Sequence, residues 1–272
     1  MLLSAFFAAF SGAIAKVLSE TMDPIEMVFY RNIIGVLILL YGLKKAPVVV
    51  NKSKIHLLIL RGVFGSLAMV LFFYTIAHIP LGEAIVLNKT SPFFVTILAF
   101  YLMNESINKN TIFALIIGFL GIVLIMKPFG ISLSIEHLMG VLGGFFAAAA
   151  YATIKKIKDI YDTKLIMLSF MGIGSIIPLL LYLFTPYVTF HIYTDFYTWS
   201  LLIFMAVIST VSQWFLTKAY SLSKASIIGV VGYSSIPFAI GFGLVLGDAF
   251  PDLIVFVGIA LVVIGGILVS RK

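Results

Sequence analysis

Ten apolar stretches follow one another along this chain, all of about the length that crosses a bilayer as a helix although the fifth and tenth are short, with polar links of only a few residues in most cases. A bilayer core about 30 Å thick needs about 20 helical residues at 1.5 Å rise, and about 17–25 are tolerated. The stretches run Leu2–Leu18, Pro24–Leu43, Ile55–Ala77, Leu81–Met103, Thr111–Met126, Leu133–Ile154, Leu165–Leu183, Trp199–Leu222, Ala225–Leu246 and Leu253–Val269. In lipid every backbone polar group must be satisfied within the protein, so runs of this length read as helices. The expected fold is all-α and integral to the membrane. With 62% hydrophobic and 11% charged residues, the chain lies far from the roughly 45–50% and 25% of soluble domains. Short links make neighbouring helices antiparallel and leave no room for an inserted soluble domain. The first stretch lacks a positive leader or a small-residue cleavage site and reads as a span, not a signal peptide. The absence of cysteine excludes disulfides, thiolate metal sites and cysteine nucleophiles.

A net charge of +7 could suggest nucleic acid, but the basic residues sit in short clusters between apolar runs. Membrane topology accounts for them better. If the N-terminus is cytoplasmic, the cytoplasmic links hold Lys44, Lys45, Lys52, Lys54, Lys109, Lys155, Lys156, Lys158, Lys164, Lys224, Arg271 and Lys272. The opposite side holds Lys127 and collects Glu20, Asp23, Glu136, Asp195, Asp248 and Asp252. Such a bias predicts both termini inside.

The chain also resembles itself. "AHIPLGEAIVLNKTSPFFVTILAFYLMNESI" from Ala77 parallels "AYSLSKASIIGVVGYSSIPFAIGFGLVLGDAF" from Ala219. Each passes a tight turn, enters a span through a small residue, carries a Ser/Pro patch in mid-span and ends in an acidic turn. Glu105 then corresponds to Asp248, and Gly121 to Gly265. With five spans per half, the two copies enter the bilayer from opposite sides, which predicts an inverted repeat of residues 1–127 and 133–270. Inverted repeats place a site at mid-membrane and open it alternately, as transporters require. His56, His78, His137 and His191 all fall at span ends or in links, so no catalytic residue, metal site or cofactor is predicted. An intramembrane lipid-modifying enzyme is the disfavoured alternative, and a lipid-carrier flippase the other.

From Arg61 to Ile107 the residues "RGVFGSLAMVLFFYTIAHIPLGEAIVLNKTSPFFVTILAFYLMNESI" resemble the third and fourth helices of EamA-type transporters in the drug/metabolite transporter superfamily. The likeness rests on the Arg-Gly start, the aromatic stretch ending in "YTIA", the "PLGEA" turn, the mid-helix "SP" and the terminal acidic residue. It extends over both halves. "MNE" at Met103–Glu105 and "LGD" at Leu246–Asp248 stand where the pattern has "LGE", and "YSSIPF" moves the second proline two residues later. The resemblance implies ten helices, function in the bacterial cytoplasmic membrane with export slightly favoured, and a central cavity lined largely by the third, fourth, eighth and ninth spans. It says little about substrate.

Charges inside the membrane face a cavity or a partner, because each costs at least about 2.5–3.5 kcal/mol there. Lys16 has Glu20 one turn on and is expected to pair with it or snorkel. Arg61 is expected to meet Glu105, and Lys218 to snorkel. Arg31 and Lys89 lie about 10–12 Å deep, without a neighbouring acid. Around Lys89 stand Asn88, Thr90, Ser91 and Pro92; the proline removes a backbone donor and frees a carbonyl. The second half offers Tyr233, Ser234 and Ser235 instead, helix eight adds Gln213 and Trp214, and helix three Tyr74. Lys89, Arg31, Asn88, Ser91, Tyr74, Gln213, Trp214, Tyr233 and Ser234 are therefore the candidate substrate-binding residues. The cavity should be electropositive and should favour an anionic or zwitterionic metabolite, with Lys89 as the anchor. Alternatively Lys89 bonds to freed carbonyls, or sits uncharged in an apolar setting. With no carboxylate at mid-depth, a facilitator or exchanger is favoured over a cation symporter. Gly140 with Gly144 and Gly243 with Gly247 have small-xxx-small spacing. They are expected to pack the halves together in a monomer or weak homodimer whose partners are lipid and a small-molecule substrate.

Overall fold

A computed structural model describes residues 1–48, 53–91, 93–95, 97–98, 109–126, 134–184, 190–191, 193–222, 228 and 231–270. Among them are ten helices and no strand: α1 (Leu2–Leu18), α2 (Pro24–Lys45), α3 (Ile55–His78), α4 (Leu81–Asn88), α5 (Lys109–Met126), α6 (Ile135–Ile157), α7 (Thr163–Phe184), α8 (Phe196–Leu222), α9 (Ser235–Val245) and α10 (Leu253–Ser270). Five of them, α2, α3, α6, α7 and α8, are both long and apolar enough to cross a membrane. Large apolar side chains such as Phe113, Phe119, Leu253 and Ile254 are more than half exposed, as a lipid-facing surface requires.

Polar residues punctuate these helices where the orphan N–H groups of a first turn need acceptors. Asp23 accepts from Ile25 N at 2.7 Å with Pro24 opening α2; Asp162, Asp195 and Asp252 accept in the same way from Lys164, Thr198 and Val255 N at 2.8, 2.7 and 2.9 Å. At its other end α9 closes through Gly247, whose φ of +90° only glycine adopts readily. The Asp248 N–H then returns to the Gly243 carbonyl at 2.9 Å and the Gly247 N–H to Leu244 at 3.2 Å, a Schellman closure.

The fourth and ninth spans are each interrupted. α4 stops at Asn88, Lys89 and Thr90 form a turn, and helical backbone resumes at Ser91. In the ninth span Tyr233 and Ser234 form the turn that precedes α9. Chemistry explains both. Pro92 and Pro237 have no N–H to give the carbonyls four residues earlier, those of Asn88 and Tyr233. Hydroxyls take up neighbouring carbonyls: Thr90 Oγ1 donates to Leu87 O at 2.7 Å, and Ser234 Oγ to Val231 O at 2.6 Å. The polar patches that interrupt the apolar pattern are thus what stabilises the breaks.

One end of the bundle carries Lys16, Glu26, Glu83, Glu136 and Asp248. At the opposite end Lys164 Nζ donates to Gly42 and Ala46 carbonyls and Tyr161 to Ser53 O. α3 packs on α6 and α7, α2 on α7 and α8, and α1 on α8 and α9. Serines line the α1–α8 seam, where Ser4 and Ser212 exchange hydroxyl-to-carbonyl bonds at 2.9 Å and the Ser11 and Ser209 hydroxyls lie 2.5 Å apart. α5 and α10 run antiparallel with backbones almost touching. A methyl on Gly121 would meet Gly258 O at 2.6 Å, and one on Gly265 would meet Gly118 N at 2.8 Å.

Of the two glycine pairs expected to join the halves, Gly140 and Gly144 do so: α6 approaches α4 there, with Gly144 against the Leu87 and Asn88 carbonyls of the break. Gly243 and Gly247 serve the Asp248 turn instead. Gly247 has open space around it, and its conformation, not helix proximity, accounts for the residue.

Candidate functional site

The helices enclose a central cavity of about 130 Å³, enough for several waters or a small solute. Arg31 from α2, Arg61 from α3 and Lys89 at the α4 break reach it, together with Asn88 and Gln213. Among the described residues no aspartate or glutamate lines it. Walls come from α1, α2, α6 and α7 as well as the third, fourth, eighth and ninth spans. α1 contributes because Ala5, Ala8, Ser11 and Gly12 are small enough to leave space.

The two arginines share one ring. The Arg31 guanidinium carbon lies 5.4 Å from the centroid of Phe170 and that of Arg61 lies 4.7 Å from it. Such stacking stabilises a cation by about 0.5–2 kcal/mol but neutralises nothing. Both residues are 2% exposed, and the Nε of each is buried without a hydrogen-bond partner. Arg31 Nη1 donates to Asn32 Oδ1, which fixes its direction. Gly65 makes room for the pair, since a methyl there would strike Arg61 Nη1 and the Phe170 ring.

Arg61 therefore belongs to the cavity. The expected partner Glu105 lies outside the described residues, and among those described Arg61 has no hydrogen bond or ion pair. Its depth marks it as clearly as that of Arg31 does, measured from the opposite side. Lys89 Nζ likewise has no hydrogen-bond or ion-pair partner among the described residues. A methyl on Gly232 would stand 3.8 Å from Nζ, which places the ammonium against the ninth span.

The remaining candidates lie elsewhere. Ser91 is buried beyond the cavity lining. Tyr74 stacks on His78 at 4.3 Å between centroids. Trp214 is 42% exposed on the outside of α8, with Lys218 Nζ over its ring at 5.2 Å, so the snorkelling expected of Lys218 takes place along an indole. Tyr233 is buried against Gly266 with its hydroxyl unpartnered, and Ser234 caps Val231; it is Ser235 that reaches the cavity. The serines of the α1–α8 seam also line it. Their sequence signal is Ser4 and Ser11 seven residues apart on a span whose first fourteen residues are otherwise without a polar side chain.

At the acidic end Lys16 turns away from Glu20. Its ammonium lies 2.9 Å from Asp248 Oδ1 and donates to Ile79 O at 2.9 Å, while Asp248 Oδ2 accepts from Leu81 N at 2.9 Å. A partner across the bundle displaces the one a turn away because Asp248 also caps the first N–H of α4. Close by, His137 Nε2 lies 3.5 Å from Glu83 Oε2. On the same end the segment before α8 is tied down by Glu26, which accepts from His191 N at 2.8 Å and from the Tyr193 hydroxyl at 2.9 Å. Burial, and then that carboxylate, push the Tyr193 hydroxyl well above its ordinary pKa.

The EamA-like transporter family profile matches residues 1–127 and again residues 134–271. The chain belongs to the EamA-like transporter family. This EamA-like protein is 32% identical over 270 residues to the pseudopaline exporter CntI of Pseudomonas aeruginosa, covering 99% of this chain and 94% of that one. It is 24% identical over 226 residues to a riboflavin transporter of Brucella anthropi, covering 81% and 78% of the two chains. A solved crystal structure of 14% sequence identity superposes on 99% of this EamA-like chain and 98% of its own with a TM-score of 0.68, a likeness of fold. Membership makes the protein a multi-pass membrane transporter of small molecules and not an enzyme.

Proposed function

We propose that this EamA-like protein carries an anionic or zwitterionic organic metabolite through the central cavity by alternating access in the bacterial cytoplasmic membrane. The observation that carries the reading is the lining itself: Arg31, Arg61 and Lys89 converge on one space without an aspartate or glutamate among the described residues of its walls. Uncompensated charge in a low-dielectric site is costly, and a bound anion offsets it. Polar groups from Asn88, Gln213 and the α1–α8 serines supply hydrogen bonds for the rest of the solute.

Two inverted five-helix halves form the machine. The double match of the family profile and the paired breaks at Lys89–Thr90 and Tyr233–Ser234 support that arrangement. Lysine bias in the links supports both termini inside, which makes the Lys16–Asp248 end the outer one. The ties among Lys16, Asp248 and Leu81 favour a conformation closed on that side. Export is the favoured direction, in line with the name of the Pseudomonas aeruginosa relative.

Ligand-induced thermal stabilisation tests the charge assignment. Saturation at 100 times the dissociation constant adds about 2.7 kcal/mol, readily seen in a melting curve. Anions or zwitterions should stabilise the wild type and fail with Lys89→Ala. Stabilisation by neutral or cationic solutes alone, unchanged in Lys89→Ala, would overturn the reading.

A further inference from the structure

The cavity holds its positive charge in two places. One pole is the Arg31–Phe170–Arg61 stack, with guanidinium carbons from α2 and α3 at 5.4 and 4.7 Å from a ring carried by α7. The other is Lys89, on α4 and facing Gly232 of the ninth span. Neither pole has an ion-pair partner among the described residues. We infer that the substrate is an organic dianion, one anionic group received by the two arginines and the second by Lys89. This rests on the anionic reading of the cavity and narrows it.

A monoanion seated at one pole leaves the other uncompensated in the same low-dielectric space, whereas a dianion of matching length offsets both. The arginine pole suits a planar carboxylate or a phosphate. Arg31 is already aimed by Asn32, and Arg61 has no hydrogen bond or ion pair among the described residues, so its fork of donors suits a bidentate partner. The lysine pole is a compact point charge that accepts an anion from many directions. Other polar groups of the lining are neutral: Asn88, Gln213 and serine hydroxyls. An ammonium group on the substrate would find no carboxylate among the described residues there, which disfavours a zwitterion with a single acid.

Isosteric probes separate one charge from two. The purified full chain would be melted in detergent at constant ionic strength with α,ω-dicarboxylates from malonate to pimelate, each compared with its half-amide and its diamide. The expected result is a preferred length at which the dicarboxylate binds about tenfold more tightly than the half-amide. Lys89→Gln should bring that ratio near unity. Arg61→Gln should remove carboxylate binding, and Arg61→Lys should restore part of it, while ligand-free melting and gel filtration verify folding of each variant. Equal stabilisation by dicarboxylate and half-amide at every length, or no dicarboxylate response at millimolar concentration, overturns the dianion and leaves the anionic reading standing if half-amides bind. Response to diamides alone overturns both.

Discussion

Lys16 Nζ stands 2.9 Å from Asp248 Oδ1, and the other oxygen of that carboxylate accepts the first N–H of α4. One ion pair thereby joins α1, the start of α4 and the turn between α9 and α10. Both side chains are less than a quarter exposed, so water screens the pair only partly. Asp248→Ala should destabilise the protein by about 1.5–3 kcal/mol, the range for a hydrogen-bonded charge. Asp248→Asn, which can still accept from Leu81, should lose less. The measurement is thermal unfolding, with a Lys16/Asp248 double-mutant cycle to isolate the coupling; strict additivity would show that the pair contributes nothing.

Gly247→Ala should cost about 1–2 kcal/mol, since φ of +90° brings a Cβ against the backbone. The methyl meets no neighbouring atom, so the whole loss is conformational. If the turn also aims the carboxylate, the loss in Gly247→Ala should shrink in an Asp248→Ala background.

α5 and α10 meet backbone to backbone, and bulk on either should separate them. Gly121→Leu or Gly258→Leu should destabilise by roughly 1–3 kcal/mol or more, as overpacking does. Gly172, with open space around its Cα, serves as the control: Gly172→Ala should leave the melting temperature nearly unchanged.

Asn32 is a positioning residue for Arg31. Asn32→Ala should weaken binding of carboxylate ligands several-fold while leaving neutral solutes unaffected, read as a ligand-dependent shift in melting temperature. Loss of ligand-free stability without that selectivity would give Asn32 a packing role alone.

At the N-terminus of α8, the side chain and backbone of Thr198 hold the Asp195 carboxyl below its ordinary pKa. A depressed carboxylate stabilises the fold fully above its unfolded value of about 3.9 and progressively less as pH falls through the lower folded value. Trp199 Nε1 donates to Tyr193 O at 2.9 Å, so its fluorescence reports on this segment. Acidification below about pH 4 should alter that signal, and Asp195→Asn, which caps without titrating, should remove the change.

What the sequence displayed was depth and what it concealed was facing. The limits of α1 and the start of α2 follow directly from apolar length and an Asp-Pro start. Arg31 and Lys89 stood out because a charge at mid-depth needs a cavity whichever way its helix is turned. Trp214 and Tyr233 could not be oriented, since a helix apolar on all sides carries no stripe to show which face meets protein and which meets lipid. Arg61 and Glu105 lie toward the same side of neighbouring spans, which suggests a pair, although the depth of Arg61 equally suits the cavity that it lines. Asp248 reads in the sequence as the counterpart of Glu105, but its ion-pair partner Lys16 comes from a helix more than two hundred residues earlier, a distance over which local spacing says nothing.

Exposed turns between helices are ordinarily the places where a chain accepts extra residues. The turn after α9 is an exception. Gly247 and Asp248 must close a helix, cap another and meet an ammonium from a third, so their register against α4 is fixed to within a single residue. An epitope tag or reporter domain spliced between Leu246 and Asp248 would therefore undo the tie that holds α1, α4 and α9 together, however accessible that turn is to solvent.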